Sequence, residues 1–424
     1  MIDADLVIRN AARIATCAQR PKATDEAGVG MIENGAIAVR GGEIVWVGPE
    51  AQLPFKVRTL EAAMQIDAEG GLVAPGFVDA HTHLVFAGDR AREFSLRSGG
   101  ASYQQLLAEG GGILATVRAT RAASEDELVE LALPRAQRLI AQGVTTVEVK
   151  SGYGLTVEDE LKMLRAIRRL AEALPITVVP TALPLHALPP EAKDDRDAWI
   201  DRMIEELLPR VAEEELASFV DIFVEEGAFT PDEARRLAAA AAEHGFGLRL
   251  HVDQLSDQDG ARLAAELGAV TADHLEEVSE EAIPLLAETG VTVTLLPTST
   301  LYLKCPRYAP GRALADAGVP LALGSNVNPG SAMSENFALA LSLACLGNGL
   351  SAPEAFYAAT AGGADALGLG DRGRIAEGMA ADLVIFGATS LEHLAYHMAV
   401  PHARVVIAGG KLIHEARELP ARCV

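Results

Sequence analysis

The chain has 424 residues, of which 49% are hydrophobic, 22% charged and 4% aromatic, a globular composition that argues against disorder. Its length accommodates a (β/α)8 barrel of about 250 residues together with a smaller second unit. Basic residues number 36 against 59 acidic ones, for a net charge of −23, which argues against nucleic acid as a partner because phosphate neutralisation needs clustered cations.

The opening segment MIDADLVIRNAARI is acidic and alternating where a signal peptide would be basic and then continuously apolar. No apolar run of about 18 residues follows, so no membrane partner is expected and the cytoplasm is the expected location. Cys17, Cys305, Cys345 and Cys423 lie far apart without CxxC spacing, which suits a reducing compartment and suggests neither a disulfide framework nor a zinc finger. AIAVRGGEIVWVG at 36–48 reads as two alternating strands around a Gly-Gly turn. The same pattern returns in ADLVIFG at 381–387 and VVIAGGKLIHE at 405–415, and ADLVIRN at 4–10 is echoed by ADLVIFG. Both termini are therefore expected to build one small composite β-sandwich, over 1–72 and 375–424.

Between them, short apolar runs alternate with longer segments of helical spacing. The runs are GLVAPGFVDAHTHL, VTTVEVKSGYG, ITVVPTALPLHALP, FVDIFVEEGAF, GFGLRLHVDQ, AVTADHL, VTVTLLPTS and PLALGSNVNPGS, eight in all. Capping boxes announce helices at Ser124 with Glu127, Thr230 with Glu233 and Ser351 with Glu354, and Gly143, Gly245, Gly268 and Gly290 stand where helices should stop. Apolar strands alternating with helices imply parallel pairing buried on both faces. The expected architecture is α/β, a (β/α)8 barrel over 73–374, with a doubly wound sheet as the alternative. Gly368, Gly370 and Gly373 have GxGxxG spacing, but a helix precedes and a strand follows, the reverse of a dinucleotide site.

Five of the ten histidines end these runs: His81 and His83 on the first, His186 on the third, His251 on the fifth and His274 on the sixth. Strand ends on that side of a barrel are where active sites lie. His81 and His83 are two residues apart, so they project from the same face of one strand. Imidazoles suit zinc, iron, copper or nickel, and three of them with a fourth group and a water make an open catalytic site. Run four offers Glu225 and Glu226 but no lysine that could be carboxylated, which favours one metal over two.

HTHLVFAGDR, GGGILATVRATRAAS, EVKSGYGL, HALPPE, ASFVDIFVEEGAF, HVDQLSDQDGA and ADHLE followed by NPGS occur in order over nearly the whole chain. Together they resemble the imidazolonepropionase family of the amidohydrolase superfamily. The resemblance implies metal-dependent hydrolysis of the ring amide of 4-imidazolone-5-propionate to N-formimino-L-glutamate, in histidine degradation. It implies one zinc or iron ion held by His81, His83, His251 and residue 326. It also implies small-molecule contacts from Arg90, Tyr153, His186, Gln254 and Ser331, product contacts from Asn328 and Gly330, a role for His274 either in supporting the metal ligands or in proton transfer, and a homodimer. Arg90 offers a planar fork for a carboxylate, and Tyr153 a phenolic donor among glycines.

One position departs from the family pattern. The eighth strand should end in T-D-x-N-P-G, and this chain has GSNVNPG, with Asn326 in the aspartate's place. An amide oxygen can still coordinate, but it is neutral and a poor base. The readings left open are an active enzyme with His274 as relocated base, another cyclic-amide or amidine amidohydrolase, and a non-catalytic binder of the same ligand.

Overall fold

A computed structural model describes residues 1–21, 26–100 and 111–416; Cys423 lies outside them. The first strands are β1 (Ile2–Ala15), β2 (Met31–Arg40), β3 (Glu43–Pro49), β4 (Val57–Asp67) and β5 (Leu72–Pro75). The barrel strands are β6 (Phe77–Asp79), β7 (Val144–Lys150), β8 (Thr177–Leu185), β9 (Phe219–Val224), β10 (Gly247–Val252), β11 (Thr271–His274), β12 (Thr292–Leu295) and β13 (Leu321–Leu323). Three more close the described chain: β14 (Leu383–Phe386), β15 (Ala403–Ala408) and β16 (Lys411–Glu415).

The termini do meet in one sheet, in the order β16-β15-β14-β5-β1-β2-β3 with β4 also on β1. β1 gives one edge to β2 and divides the other between β4 and β5. A register shift between Ile8 and Ala11 marks the change. Its alternation sends Leu6, Ile8, Ile14, Ile37 and Ile385 into one core, and Val7, Ala36, Ala38 and Trp46 into another on the opposite face. The echo between ADLVIRN and ADLVIFG thus has a structural counterpart, since β1 and β14 both pair with β5. Leu72–Pro75 belongs to this sheet, so the chain crosses to the barrel at Gly76. No side chain fits there, because a Cβ would lie 2.2 Å from Thr145 Oγ1.

β6 to β13 pair in parallel, each with its sequence neighbour. The ring closes where Ala80 N donates to Leu323 O at 3.2 Å, Asn326 N to His81 O at 3.0 Å and His83 N to Val327 O at 2.9 Å. Every residue of β7, β11, β12 and β13 is buried, as expected of strands covered on both faces. All three capping boxes form. Gly268 and Gly290 end their helices with φ of +62° and +74°, where side chains with a Cβ are strained. Among the described residues no helix is long and apolar enough to cross a membrane.

The closing seam depends on backbone contact. A Cβ at Gly362 would sit 2.1 Å from Leu321 O, and one at Gly363 2.8 Å from Val78 O, so these two glycines seat the last barrel helix on β13 and β6. Gly362→Ala is expected to lower stability by about 1–3 kcal/mol through overpacking, seen as a lower urea midpoint with an unchanged slope.

Candidate active site

The period of two that sorts a strand's faces also sorts this site into layers. Asp79, His81 and His83 take every second position at the end of β6, with Ala80 and Thr82 between them, as Glu148 and Lys150 do on β7 and Arg249 and His251 on β10. The deeper layer is ionic and closed to water. Lys150 Nζ lies 2.8 Å from Glu148 Oε1, 2.8 Å from Asp221 Oδ2 and 3.7 Å from Asp273 Oδ2. Arg249 approaches Asp273 at 3.2 Å and Glu148 at 3.8 Å, and donates to Ala80 O at 2.9 Å. All five side chains are fully buried. Two cations face three carboxylates, which leaves one negative charge in excess beneath the histidines.

That charge is delivered to the imidazoles. Asp273 Oδ2 accepts from His81 Nδ1 at 2.7 Å, and Asp221 Oδ2 lies 3.0 Å from His251 Nδ1. Burial alone would raise both carboxyls, but His251 and Lys150 hold Asp221 below the usual range, and Arg249, His81 and Lys150 hold Asp273 well below it. Burial keeps the imidazoles neutral in turn: it pushes His81 and His83 well below the ordinary histidine range, and His186 down to about 3. Neutral imidazole is the form that ligates a metal. Asp79 stands apart, bonded to Ser325 N and Oγ, with burial pushing its carboxyl up to about 7.

Nitrogen atoms of His81, His251 and His274 all come within 4.8 Å of one another. Nε2 of both His81 and His251 is buried without a partner; a hydrogen bond to Asp273 holds the His81 ring from below, as in metal-bound histidines, whereas His251 Nδ1 lies within ion-pair reach of Asp221 without an aligned hydrogen bond. The residues present therefore fit a bound cation. The compact trio contains His274 where the sequence led us to expect His83. The His83 ring centroid lies 5.3 Å from that of His81 and 5.6 Å from that of His251, and His83 stacks on His186 at 5.2 Å. His274 Nδ1 is 3.5 Å from Glu276 Oε2, and Glu276 Oε1 accepts from Thr300 Oγ1 at 2.8 Å.

One cavity of 590 Å³ gathers the remaining residues. His83, Arg90, Tyr153, His186, His251, Gln254, His274, Asn326, Asn328, Gly330 and Ser331 all line it, while His81 lies fully buried beside it. Tyr153 and His186 form one wall, 5.3 Å apart between ring centroids. His186 Nδ1 is 2.9 Å from Gly152 O, and since a carbonyl only accepts, Nδ1 carries the proton and Nε2 is left as an acceptor. Gly152 adopts φ +105°, and a Cβ there would meet His186 Nδ1 at 2.8 Å. Buried Glu160 fastens this turn by accepting from the backbone N of Gly152, Gly154 and Leu155 at 3.0, 2.7 and 2.7 Å.

The turn after β13 is held by its own asparagine. Asn328 Nδ2 donates to Asn326 O, Asn326 Oδ1 and Ser331 Oγ at 2.7, 3.0 and 2.7 Å, while its Oδ1 accepts from Gly330 N and Ser331 N. Both ends of that amide are spent on shaping the loop. Asn326 has φ +56°, a conformation asparagine and aspartate tolerate better than most residues. Arg90, expected to be a free fork, is paired: its Nε donates to Glu93 Oε2 at 2.9 Å and its Nη2 to Glu93 Oε1. Glu225 is turned from the centre to accept from Leu255 N at 2.8 Å and from Ser256 Oγ. Sequence reasoning did not mark Glu148, Lys150, Asp221, Arg249, Asp273, Glu160 or Glu276. The signal available was a charged residue every second position in strands otherwise reading as core.

The amidohydrolase family pattern matches residues 72–413. An imidazolonepropionase from Myxococcus xanthus is 53% identical over 408 residues, covering 96% of this chain and 97% of the relative. One from Anaeromyxobacter dehalogenans is 54% identical over 415 residues, covering 97% of each. An adenosine deaminase from Xanthomonas campestris, solved with bound zinc, superposes with a TM-score of 0.70 at 22% identity, covering 99% of this chain and 95% of that one; at that identity the likeness concerns the fold.

Lys150→Met strands buried Glu148 and Asp221 without their counter-ion. It is expected to cost about 3–5 kcal/mol of unfolding free energy, measured by chemical denaturation. A cost below about 1 kcal/mol would mean that the ionic layer is not what holds these strands.

Proposed function

The chain belongs to the amidohydrolase family and, within it, to the imidazolonepropionases, and on that footing we propose that it hydrolyses the ring amide of 4-imidazolone-5-propionate to N-formimino-L-glutamate in histidine degradation. The observation that carries this reading is the group of neutral imidazoles, aimed by buried carboxylates, at the floor of a cavity with arginines at its mouth.

A single zinc or iron ion per chain would be held by His81, His83 and His251, with the Asn326 amide oxygen as a fourth ligand; this set reserves His274, the third member of the compact trio, for proton transfer. When bound, the ion supplies Lewis-acid activation of water and of the ring carbonyl. His274 takes the proton from the attacking water, with the carboxylate of Glu276, which Thr300 anchors, 3.5 Å from its Nδ1. The water oxygen bonds to the ring carbonyl carbon, the adjacent C–N bond breaks, and His274 returns the proton to the departing nitrogen. His186 Nε2 accepts from a ring N–H, Tyr153 donates its phenolic proton, and Gln254 and Ser331 hold the ring edge. Tyr153 keeps that proton, since burial raises its pKa. We further place the protein in the cytoplasm as a homodimer; Cys17, Cys305 and Cys345 are free, which suits a reducing compartment.

Asn326 favours a second reading, a binder that keeps the pocket without the turnover. Loss of 4-imidazolone-5-propionate absorbance with purified protein and added zinc or iron(II) separates the two. Turnover above the spontaneous rate supports the enzyme, and tight binding without turnover supports the binder. Asn326→Asp keeps the acceptor that Asn328 Nδ2 uses and adds a base, so kcat/KM is expected to rise by about 10² to 10⁴. An unchanged rate would remove residue 326 from the proton path.

A further inference from the structure

Glu160 lies one turn into the helix Val157–Ala173, whose N-cap is Thr156. It is fully buried, and the chemistry proposed above makes no use of it. A carboxylate taken from water is costly unless several donors meet it. Here the donors are the backbone N of Gly152, Gly154 and Leu155 and the Ser151 hydroxyl. That hydroxyl also accepts from Leu183 N at 3.0 Å, on β8, the strand that leads to His186. One carboxylate thus ties the turn after β7 both to its helix and to β8.

The turn needs such a hold. Leu155 adopts φ +53°, a conformation that leucine keeps only where its surroundings impose it. The carbonyls of the turn are held as well. Gly154 O accepts from Arg121 Nε at 2.6 Å, Leu155 O from Trp199 Nε1 at 3.1 Å, and Gly152 O from His186 Nδ1 at 2.9 Å. The last of these reaches the pocket, because an imidazole that donates from Nδ1 must accept at Nε2 while it is neutral. Gly152 is therefore gripped at its nitrogen by Glu160 Oε2 and meets His186 through its oxygen.

We infer that Glu160 is a positioning residue of the site: it holds the Gly152 carbonyl against His186, and so makes His186 Nε2 an obligate acceptor for a ring N–H of the ligand. The inference rests on the function proposed above and deepens it. An isosteric amide cannot take over the task. Oε2 serves Gly152 N, and Oε1 serves Gly154 N and Leu155 N, so the NH2 of a glutamine meets a backbone N–H whichever way it turns.

The test uses zinc-loaded protein with 15N-labelled histidine, as wild type, Glu160→Gln, His186→Ala and the double variant. Wild type is expected to show His186 in the Nδ1–H form, assigned by its loss in His186→Ala, and Glu160→Gln a mixture of both neutral forms. Calorimetric titration with 3-(imidazol-4-yl)propionate is expected to give about tenfold weaker binding in Glu160→Gln. In the His186→Ala background the same change should cost less than about twofold, because both residues act through one contact. If Glu160→Gln does not fold, Ser151→Ala removes one donor, spares the three backbone bonds, and enters the same cycle with a smaller loss of the same sign. An Nε2–H form in wild type, or an equal loss in both backgrounds, as general loosening would give, would overturn the inference. A wild type that binds no ligand, yet shows the Nδ1–H form and loses it in Glu160→Gln, would overturn the proposed function and leave the hold of Glu160 on His186 standing.

Discussion

The rest of the structure depends on a buried ionic layer across the barrel, in which Lys150 and Arg249 face Glu148, Asp221 and Asp273. Charges taken from water are costly unless each finds partners, and here the barrel's parallel closure brings them from strands far apart in sequence. The excess of one carboxylate gives the layer its purpose. Asp273 accepts from His81 Nδ1 and so fixes which nitrogen points upward, while Asp221 lies 3.0 Å from His251 Nδ1; both raise the basicity of rings that burial keeps neutral. The polar layer beneath the site thus orients what lies above it.

Above that layer the cavity has two ends of different chemistry. Its floor is imidazole and amide, suited to a cation and a flat nitrogen heterocycle, and its mouth carries guanidinium groups against the field of a strongly acidic molecule. The turn after β13 links the ends, since Asn328 holds Asn326 on one side and Gly330 and Ser331 on the other. Asn326 brings to this turn a neutral amide, which can coordinate a cation but is a poor base. Asparagine and aspartate both tolerate the positive φ at this position better than most residues.

Much of this was legible from local pattern. Each of the eight apolar runs supplied one barrel strand, and three capping boxes formed where Ser or Thr preceded Glu by three, because both signals are short-range physics. The histidines were found because two on one strand face and three more at strand ends exceed what packing needs. Three things were not legible. GLVAPGFVDAHTHL reads as one strand, yet it is two belonging to different sheets, divided at Gly76 by contact with Thr145. Lys150 and Arg249 look like ordinary strand charges until Asp221 and Asp273 arrive from neighbouring strands, and no local window contains those two carboxylates. Arg90 carried the expected carboxylate fork, but Glu93 three residues on engages it.

The central claim is that one divalent ion is held by imidazoles that buried carboxylates aim. Titration of metal-free protein with zinc, against a competing chromophoric chelator, tests it most directly in wild type and Asp221→Asn. The account predicts one tight equivalent in wild type and an affinity lower by about 10- to 100-fold in the variant. No stoichiometric binding in wild type, or equal affinity in both proteins, would contradict it.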